Sequence, residues 1–406
     1  MVTSAFDLDI PELDTAGFER LEELTAVADA RSRSWLVRTP LGFAVTTHDD
    51  AVAVLRERRF HSALSLLPQL AGVEPDEFLE TRRPSILSME GESHTRLRRL
   101  VAPAFTPSAI DRLRPFMRDV VDRLFDAIAS EGRADFVADV CEPYPIPIIC
   151  ELLGAPKEDW KRFSDWATDI FRLFNQDLAS DLPIIQRASG ELEVYVRAMV
   201  DERRSHPRDD LLSALIAIEE SGDRLSTDEL VMMTEAILMA GTDTTRNQLA
   251  CCLALFASHP DQWAALAADP ELAPRAVEES MRYLGAVRGT ARVAAEDIEY
   301  RGVVFPRGTL VAVLLAGANR DPAAFDEPDT FDITRQAGTK QMTFGSGIHH
   351  CLGAALARAE LQEALGVLAP RMRDLELDGA IEWKPATFGI WGPARLPLRF
   401  RASRGA

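Results

Sequence analysis

The stretch from Val231 to Phe256 limits the possible fold more than any other part of the chain. Met232, Met233, Ala236, Ile237, Leu238, Met239, Ala240, Leu249, Leu253 and Ala254 make a helix that is apolar nearly all round. Such a helix is buried on every side, so it runs through the middle of the body. In its centre stands a polar interruption, Ala240-Gly241-Thr242-Asp243-Thr244-Thr245-Arg246-Asn247. Burying a carboxylate and several hydroxyls is costly unless they are paired. Mid-helix threonines bond back to the preceding turn and bend it, and Gly241 permits a close approach by another group. The break is either a polar network that sets helix packing or an opening onto a site that relays protons. An opening onto such a site is the expectation.

A second feature needs the same explanation. Phe344-Gly345-Ser346-Gly347-Ile348-His349-His350-Cys351-Leu352-Gly353 runs straight into the helix former Ala354-Ala355-Leu356-Ala357-Arg358. A cysteine so placed lies at or near a helix N-terminus, where the dipole and unpaired N–H groups favour a thiolate. The glycines allow the backbone to approach something large and flat. A thiolate held this way is a nucleophile, a redox thiol or an axial ligand to iron; an inert buried thiol is the plain alternative. Adjacent histidines on a tight loop do not aim a base at the next thiol as a cysteine protease requires. Zinc needs a set of soft ligands with regular spacing, and five cysteines without such spacing supply neither that nor a disulfide framework. A phosphate-binding loop has no use for the cysteine. Haem ligation remains, because a proximal thiolate favours O–O cleavage and a buried acid–hydroxyl pair would supply protons on the opposite face.

Composition closes other classes. The formal charge of −19 repels a nucleic-acid backbone. No apolar run is long enough to cross a bilayer, and Met1–Asp14 is acidic, so a cytoplasmic monomer away from membranes is expected. A hydrophobic fraction of 47% is ample for a large core, and no sharp linker divides the chain. The spacing predicts one domain over 1–406. Its β-rich parts are expected near 30–60, 284–316 and 381–400, and its helical body at about 92–283 and 351–370. Within these, a helix is expected over Ala109–Ala129, and helical text from Trp160 to Ala257 with interruptions at Leu178–Leu182 and Ser205–Asp209. A small sheet or hairpin is expected from Ile298 to Val313, and a terminal hairpin from Phe388 to Phe400. Leu64–Ser88 reads as loops and short helices, and Asn319–Ala337 as a long meander. His94 and Arg98 share a helix face, as do Glu279 and Arg282.

Taken together, these segments resemble a cytochrome P450 of the soluble bacterial type. The Phe344–Gly353 stretch matches the haem-thiolate signature at its Phe, Gly, His, Cys and Gly positions. Ala240–Thr244 resembles the oxygen-binding motif, and Glu279-Ser280-Met281-Arg282 the Glu-x-x-Arg motif. His94-Thr95-Arg96-Leu97-Arg98 and Ala318-Asn319-Arg320-Asp321-Pro322 also match, all in family order. The resemblance implies a mainly α fold with small β-sheets, a triangular helical prism around buried haem b. It implies Cys351 as axial iron ligand with Phe344 beside it, and His94, Arg98, Arg292 and His349 on the propionates. Thr244 and Asp243 would serve dioxygen and protons, and Glu279 and Arg282 would lock the meander. Arg335 stands in for an arginine that many members carry where this chain has Thr330. Met89-Glu90-Gly91-Glu92-Ser93 departs from the common Asp-Pro-Pro text, and His350 is a further departure that would cover the proximal surface.

The implied reaction is a monooxygenation of a hydrophobic small or medium molecule, with electrons from a ferredoxin and ferredoxin reductase fed by NAD(P)H. A peroxide-driven or oxidative-coupling enzyme is the alternative, and a haem sensor a remote one. Arg96, Arg99, Arg112 and Arg118 would form the basic docking patch. By the same resemblance the pocket draws on Ile86, Phe174, Met239, Ala240, Val287, Arg288, Phe388 and Ile390, with Arg288 either meeting a substrate carboxylate or pairing at the surface.

Overall fold

The apolar rod is one unbroken helix, Thr227–Ser258, of 32 residues and so about 48 Å long at the usual rise per residue. Its start is fixed by a capping box in which Ser226 and Glu229 satisfy each other's backbone N–H groups. The computed structural model describes residues 3–13, 23–66, 85–174, 177–221, 225–336, 338–384 and 390–403. In chain order its helices are α1 (Glu23–Arg33), α2 (His48–Arg56), α3 (Gly91–Val101), α4 (Pro107–Asp111), α5 (Arg114–Ile128), α6 (Pro145–Leu153), α7 (Trp160–Phe171) and α8 (Leu178–Ser205). Then follow α9 (Leu211–Glu220), the long rod α10 (Thr227–Ser258), α11 (Pro260–Ala268), α12 (Ala273–Tyr283), the short α13 (Leu315–Ala318) and α14 (Ala354–Arg371).

The main hydrophobic core is laid around α10. It takes Leu97 of α3, Phe125 of α5, Ile149 of α6, Phe163 of α7, Leu365 of α14 and, at the C-terminal end, Leu398 and Phe400. Gly241 is where the close approach occurs, and the visitor is Ile149, whose side chain would sit 3.1 Å from a Cβ there. That glycine serves helix packing.

Strands β1 (Thr3–Ser4), β2 (Leu36–Thr39), β3 (Gly42–Val45), β4 (Phe60–Ser62) and β5 (Arg133–Asp135) come from the first part of the chain. Strands β6 (Thr290–Ala294), β7 (Ile298–Tyr300), β8 (Val303–Phe305) and β9 (Leu310–Val313) follow α12. Strands β10 (Met372–Leu377), β11 (Glu382–Trp383), β12 (Pro393–Arg395) and β13 (Pro397–Ala402) follow α14. The largest sheet has the order β2-β3-β9-β6-β4. It sets Arg292 opposite Ser62 and Val311 in the strand ladder and packs a second core of Phe43, Phe60, Phe305 and Val311.

Several expected elements are divided differently. The run Ala109–Ala129 is two helices, because Pro115 takes a first-turn place where its missing N–H costs nothing and thereby starts α5. The interruption expected at Leu178–Leu182 is instead the opening of α8, capped by Asp177 and continuous through Pro183. β7 and β8 form a hairpin, but β9 leaves it for the large sheet, where it runs parallel to β3. The terminal hairpin is also replaced: β12 pairs with β11, whereas β13 pairs with β10 and β5. Residues 319–346 carry no helix or strand among those described, a true meander. Among the described residues, no helix is long and apolar enough to cross a membrane.

Candidate active site

The cysteine loop is built by glycine geometry. Gly345 and Gly347 have φ of +68° and +73°, a region open to glycine and costly for other residues. A Cβ at Gly347 would also overlap the carbonyl oxygen of Leu55 in α2, so the loop lies directly on that helix. Arg56 Nε donates to Ser346 Oγ (3.1 Å) and tightens the same contact. The Cys351 N–H donates to the Phe344 carbonyl at 3.0 Å and closes the turn. α14 begins three residues later at Ala354.

The thiol does not behave as the helix terminus alone would predict. Burial pushes Cys351 above its ordinary range, and the Gly353 N–H, Arg98 and Arg358 pull it down without winning. Desolvation is the larger effect when an anion leaves water. A thiol so placed needs a cation of its own to ionise, which a bound metal ion would provide. No cluster of three or more histidine, cysteine or acidic side chains fit to hold a bare ion is present among the described residues.

Around this loop the structure gathers cationic side chains. His94 of α3 is 2% exposed and its ring packs at a tilt against that of His349, with centroids 4.6 Å apart. Arg98, one turn on, donates to the His350 carbonyl. Arg292 of β6 is 5% exposed and donates to Ala291 O (3.0 Å) and Thr290 Oγ1 (3.3 Å). Neither Arg98 nor Arg292 has a carboxylate within ion-pair distance among the described residues, and burial lowers the pKa of both. The nearest acid is Glu90, which takes His349 Nε2 at 3.0 Å and the Ser62 N–H. One buried and one half-buried guanidinium and two imidazoles against one carboxylate suit a ligand bearing two carboxylates. The donor set fits haem b.

On α10 part of the polar break bonds back to the helix's own carbonyls and part reaches neighbouring segments. Thr242 donates to Leu238 O (2.7 Å), Thr244 to Ala240 O (2.9 Å) and Asn247 Nδ2 to Asp243 O (2.7 Å). Asp243 is ion-paired to Arg246, and Lys384 Nζ stands 3.9 Å from its Oδ1. Thr245 donates to Glu360 Oε2 of α14 at 3.1 Å. The rod is buried on most sides, yet Ala236, Ala240 and Thr244, at successive i, i+4 positions, are accessible. They form a stripe of small residues along an opening. Neither Lys384 nor Glu360 is visible as a site residue from sequence, because each meets α10 from a distant segment.

Glu279 and Arg282 of α12 are buried and paired through two 2.8 Å bonds. Arg335 joins them, with Nε 3.1 Å from Glu279 Oε2, so the place vacated at Thr330 is filled. Arg282 also donates to the carbonyls of Asn319, Pro328 and Thr330, which ties the meander down.

Of the pocket candidates, Val287 and Ile390 are joined by an antiparallel bridge. Phe174 stacks on Phe171 at 5.9 Å, Ile86 is half-buried and Ala240 is exposed. Met239 lies in the core at 6% exposure, turned from the face that Ala240 presents. Arg288 is 8% exposed with its guanidinium over the Trp391 ring at 5.2 Å, so it lies inside the protein and not at its surface. Phe388 lies outside the described residues. The expected basic patch is only half there: Arg96 pairs with Glu229 and Arg118 with Glu363, while Arg99 and Arg112 are exposed. Phe344 lies under Arg358 at 4.5 Å.

Residues 74–369 match the family model described as Cytochrome P450. The chain belongs to the cytochrome P450 family. It is 37% identical to luteothin monooxygenase of Streptomyces thioluteus over 97% of both chains, and 40% identical to the cytochrome P450 monooxygenase PikC of Streptomyces venezuelae over 91% and 88%. Among solved structures it resembles CxnD, a P450 for C–S bond formation in chuangxinmycin biosynthesis (TM-score 0.87, 31% identity, 96% and 97% covered). It also resembles CalO2 (TM-score 0.85, 31% identity, 93% and 95% covered). The helical body with small sheets is the P450 prism. This P450 is a haem-thiolate monooxygenase of the kind that hydroxylates or epoxidises small hydrophobic molecules, and the family implies haem b as its cofactor.

Proposed function

We propose that Cys351 would ligate the haem iron and that the Ala236–Ala240–Thr244 stripe would line the reaction site. The observation that carries this is the meeting, around the Cys351 loop, of His94, Arg98, Arg292 and His349, with Glu90 the one acid that bonds there among the described residues. Bound haem supplies dioxygen activation and the transfer of one oxygen atom, the other leaving as water. The protein's part is ligation, placement and protons. Arg98, His94, Arg292 and His349 hold the propionates. Thr244 gives its O–H to Ala240, which leaves the hydroxyl lone pairs to hold a water in the opening. Asp243 moves protons towards that water. The acid–hydroxyl pair favours dioxygen over peroxide as the oxidant, because only the former demands proton delivery at each turnover.

The substrate is a hydrophobic small or medium molecule contacted by Ile86, Phe174, Ala240, Val287 and Ile390. Relatives named for luteothin, mycinamicin IV and vitamin D3 support this range. Electrons come from a ferredoxin and its reductase, docked over the exposed Arg99 and Arg112.

The test is optical. The reduced protein with carbon monoxide should show the long-wavelength Soret band of thiolate ligation, and Cys351→Ala should lose it. A haem-loaded wild type lacking the band overturns the assignment. Ferric protein titrated with mycinamicin IV, vitamin D3 and myristic acid should convert to high spin with at least one. If none does so, the apolar-pocket reading fails.

A further inference from the structure

We infer that Lys384 is the solvent-side proton donor to Asp243, passing protons from bulk water to the carboxylate that serves the dioxygen site. The inference rests on the reading of Asp243 and Thr244 as the relay and adds the step before it.

Three groups meet at this point, and their exposure ranks them. The side chains of Asp243 and Arg246 are 6% and 10% exposed, whereas that of Lys384 is 27% exposed. Arg246 is held further by Thr168 Oγ1 (3.0 Å) and Ser164 Oγ (3.4 Å) of α7, so it anchors the carboxylate from inside. Lys384 alone of the three connects the carboxylate to the surface.

Chemistry separates the two cations. A guanidinium does not lose a proton in a protein, whereas an ammonium group does when burial weakens its hold. Burial pushes the Lys384 ammonium below its usual range, Asp243 opposes the shift, and Arg246 adds to it. The other titratable groups that bear on it are Cys251 of α10 and Glu142. The choice of residue stands out in this chain. Of 45 basic residues, only Lys157, Lys161, Lys340 and Lys384 are lysines, and the other three are exposed. Elsewhere three enclosed acids take arginine partners, Glu279 with Arg282, Asp210 with Arg203 and Asp50 with Arg301, while Glu360 has the Thr245 hydroxyl. Arginine would pair Asp243 more firmly through its planar fork. A lysine there makes sense where the proton must leave.

The backbone is fixed and the side chain has reach. Lys384 N donates to Gly392 O (3.0 Å), and its carbonyl accepts from Trp391 Nε1 (3.1 Å). The Trp383 and Trp391 indoles stack at 4.4 Å beside it. From that anchor a four-carbon stem needs only a small swing to close 3.9 Å to a hydrogen bond. In the transfer a Lys384 Nζ–H bond breaks and an Asp243 Oδ–H bond forms. The neutral amine then takes a proton from solvent, so each cycle moves one proton inward and leaves Lys384 as it began.

With only four lysines, the experiment can watch this one directly. Protein labelled with carbon-13 at lysine Cε, haem-loaded, reduced and bound to carbon monoxide, is titrated by NMR, with Lys384→Arg assigning the signal. Lys384 should titrate below the three surface lysines, and Asp243→Asn should move it lower still. Titration together with the surface lysines overturns the proposal. Turnover gives a second reading, from NADH consumed and hydrogen peroxide released in air with a ferredoxin and its reductase. Lys384→Arg keeps the charge but cannot donate, so peroxide per NADH should rise severalfold, as it should in Lys384→Met. If Lys384→Arg matches wild type while Lys384→Met is impaired, the lysine is a mere counter-ion and the proposal falls. A variant that loses its carbon monoxide band has failed to assemble, and the NMR titration of the unaltered protein then decides. If wild type itself lacks the band, it is the haem-thiolate assignment that has failed.

Discussion

Glu360 shows how one buried group can set a pH dependence away from any surface. It is 1% exposed, its Oε2 accepts from Thr245, and its Oε1 has no hydrogen-bond partner among the described residues. Burial raises its pKa well above the carboxylate range, with the Thr245 hydroxyl pulling weakly the other way. The folded protein therefore keeps the proton that the unfolded chain releases above about pH 4.3. Stability is undiminished below that pH and falls as pH rises, by about 1.4 kcal/mol per unit, until the folded group itself ionises. Glu360→Gln keeps an acceptor for Thr245 and removes the ionisation. Thermal unfolding at pH 6 and pH 8 should show a smaller loss for the variant than for wild type. Equal losses would mean that Glu360 is already charged in the folded state.

At the scale of elements, the acid–arginine lock on the meander carries a graded prediction. Arg282 is fully enclosed with Glu279, and losing it leaves that buried carboxylate with the partly exposed Arg335 and the Asp332 N–H alone among the described residues, at about 3–5 kcal/mol. Arg335 is 22% exposed at the side chain and shares its bonds among Glu279 and the carbonyls of Asp326, Glu327 and Thr330. Arg335→Ala should cost about 2 kcal/mol, the scale of hydrogen bonds to a charged group. Denaturant unfolding of the haem-loaded variants should rank wild type above Arg335→Ala above Arg282→Ala. The reverse order would move the weight of the lock onto Arg335. This lock also marks what sequence can reveal. Glu279 and Arg282 share a helix face at any position, but their burial depends on a meander that closes over them from 37 to 56 residues away. α10 was plain because its apolar character runs all round the helix and needs no partner to be recognised. β9 was not, since the text of Ile298–Val313 reads the same whether its last strand stays in the hairpin or crosses to β3. The cysteine loop declared itself through its glycines, whereas Lys384 and Glu360 become site neighbours only through packing.

For the whole molecule, a net charge of −19 sets a problem that the fold answers locally. An acidic redox partner meets a repulsive average field, and what draws it in must be a face where positive charge is left over. On the Cys351 side most arginines are already spent: Arg96 on Glu229, Arg114 and Arg118 on Glu363, Arg358 on Glu278. Arg99 and Arg112 are the exposed remainder of the expected patch, close to Arg98, whose guanidinium touches the cysteine loop at His350. Reduction by ferredoxin should therefore slow as salt rises, since attraction between exposed charges fades beyond a Debye length of about 8 Å at physiological ionic strength. Arg99→Glu with Arg112→Glu should slow reduction at low salt about tenfold, within the range of electrostatic steering, and flatten the salt dependence. Charge reversal at Arg96 and Arg118 should do less to the rate and more to stability, because it sets a new negative charge against Glu229 and Glu363. Stopped-flow reduction under carbon monoxide, across ionic strengths, measures both. A rate that rises with salt in wild type would place the partner on another face, because repulsion by the acidic surface would then be what salt relieves.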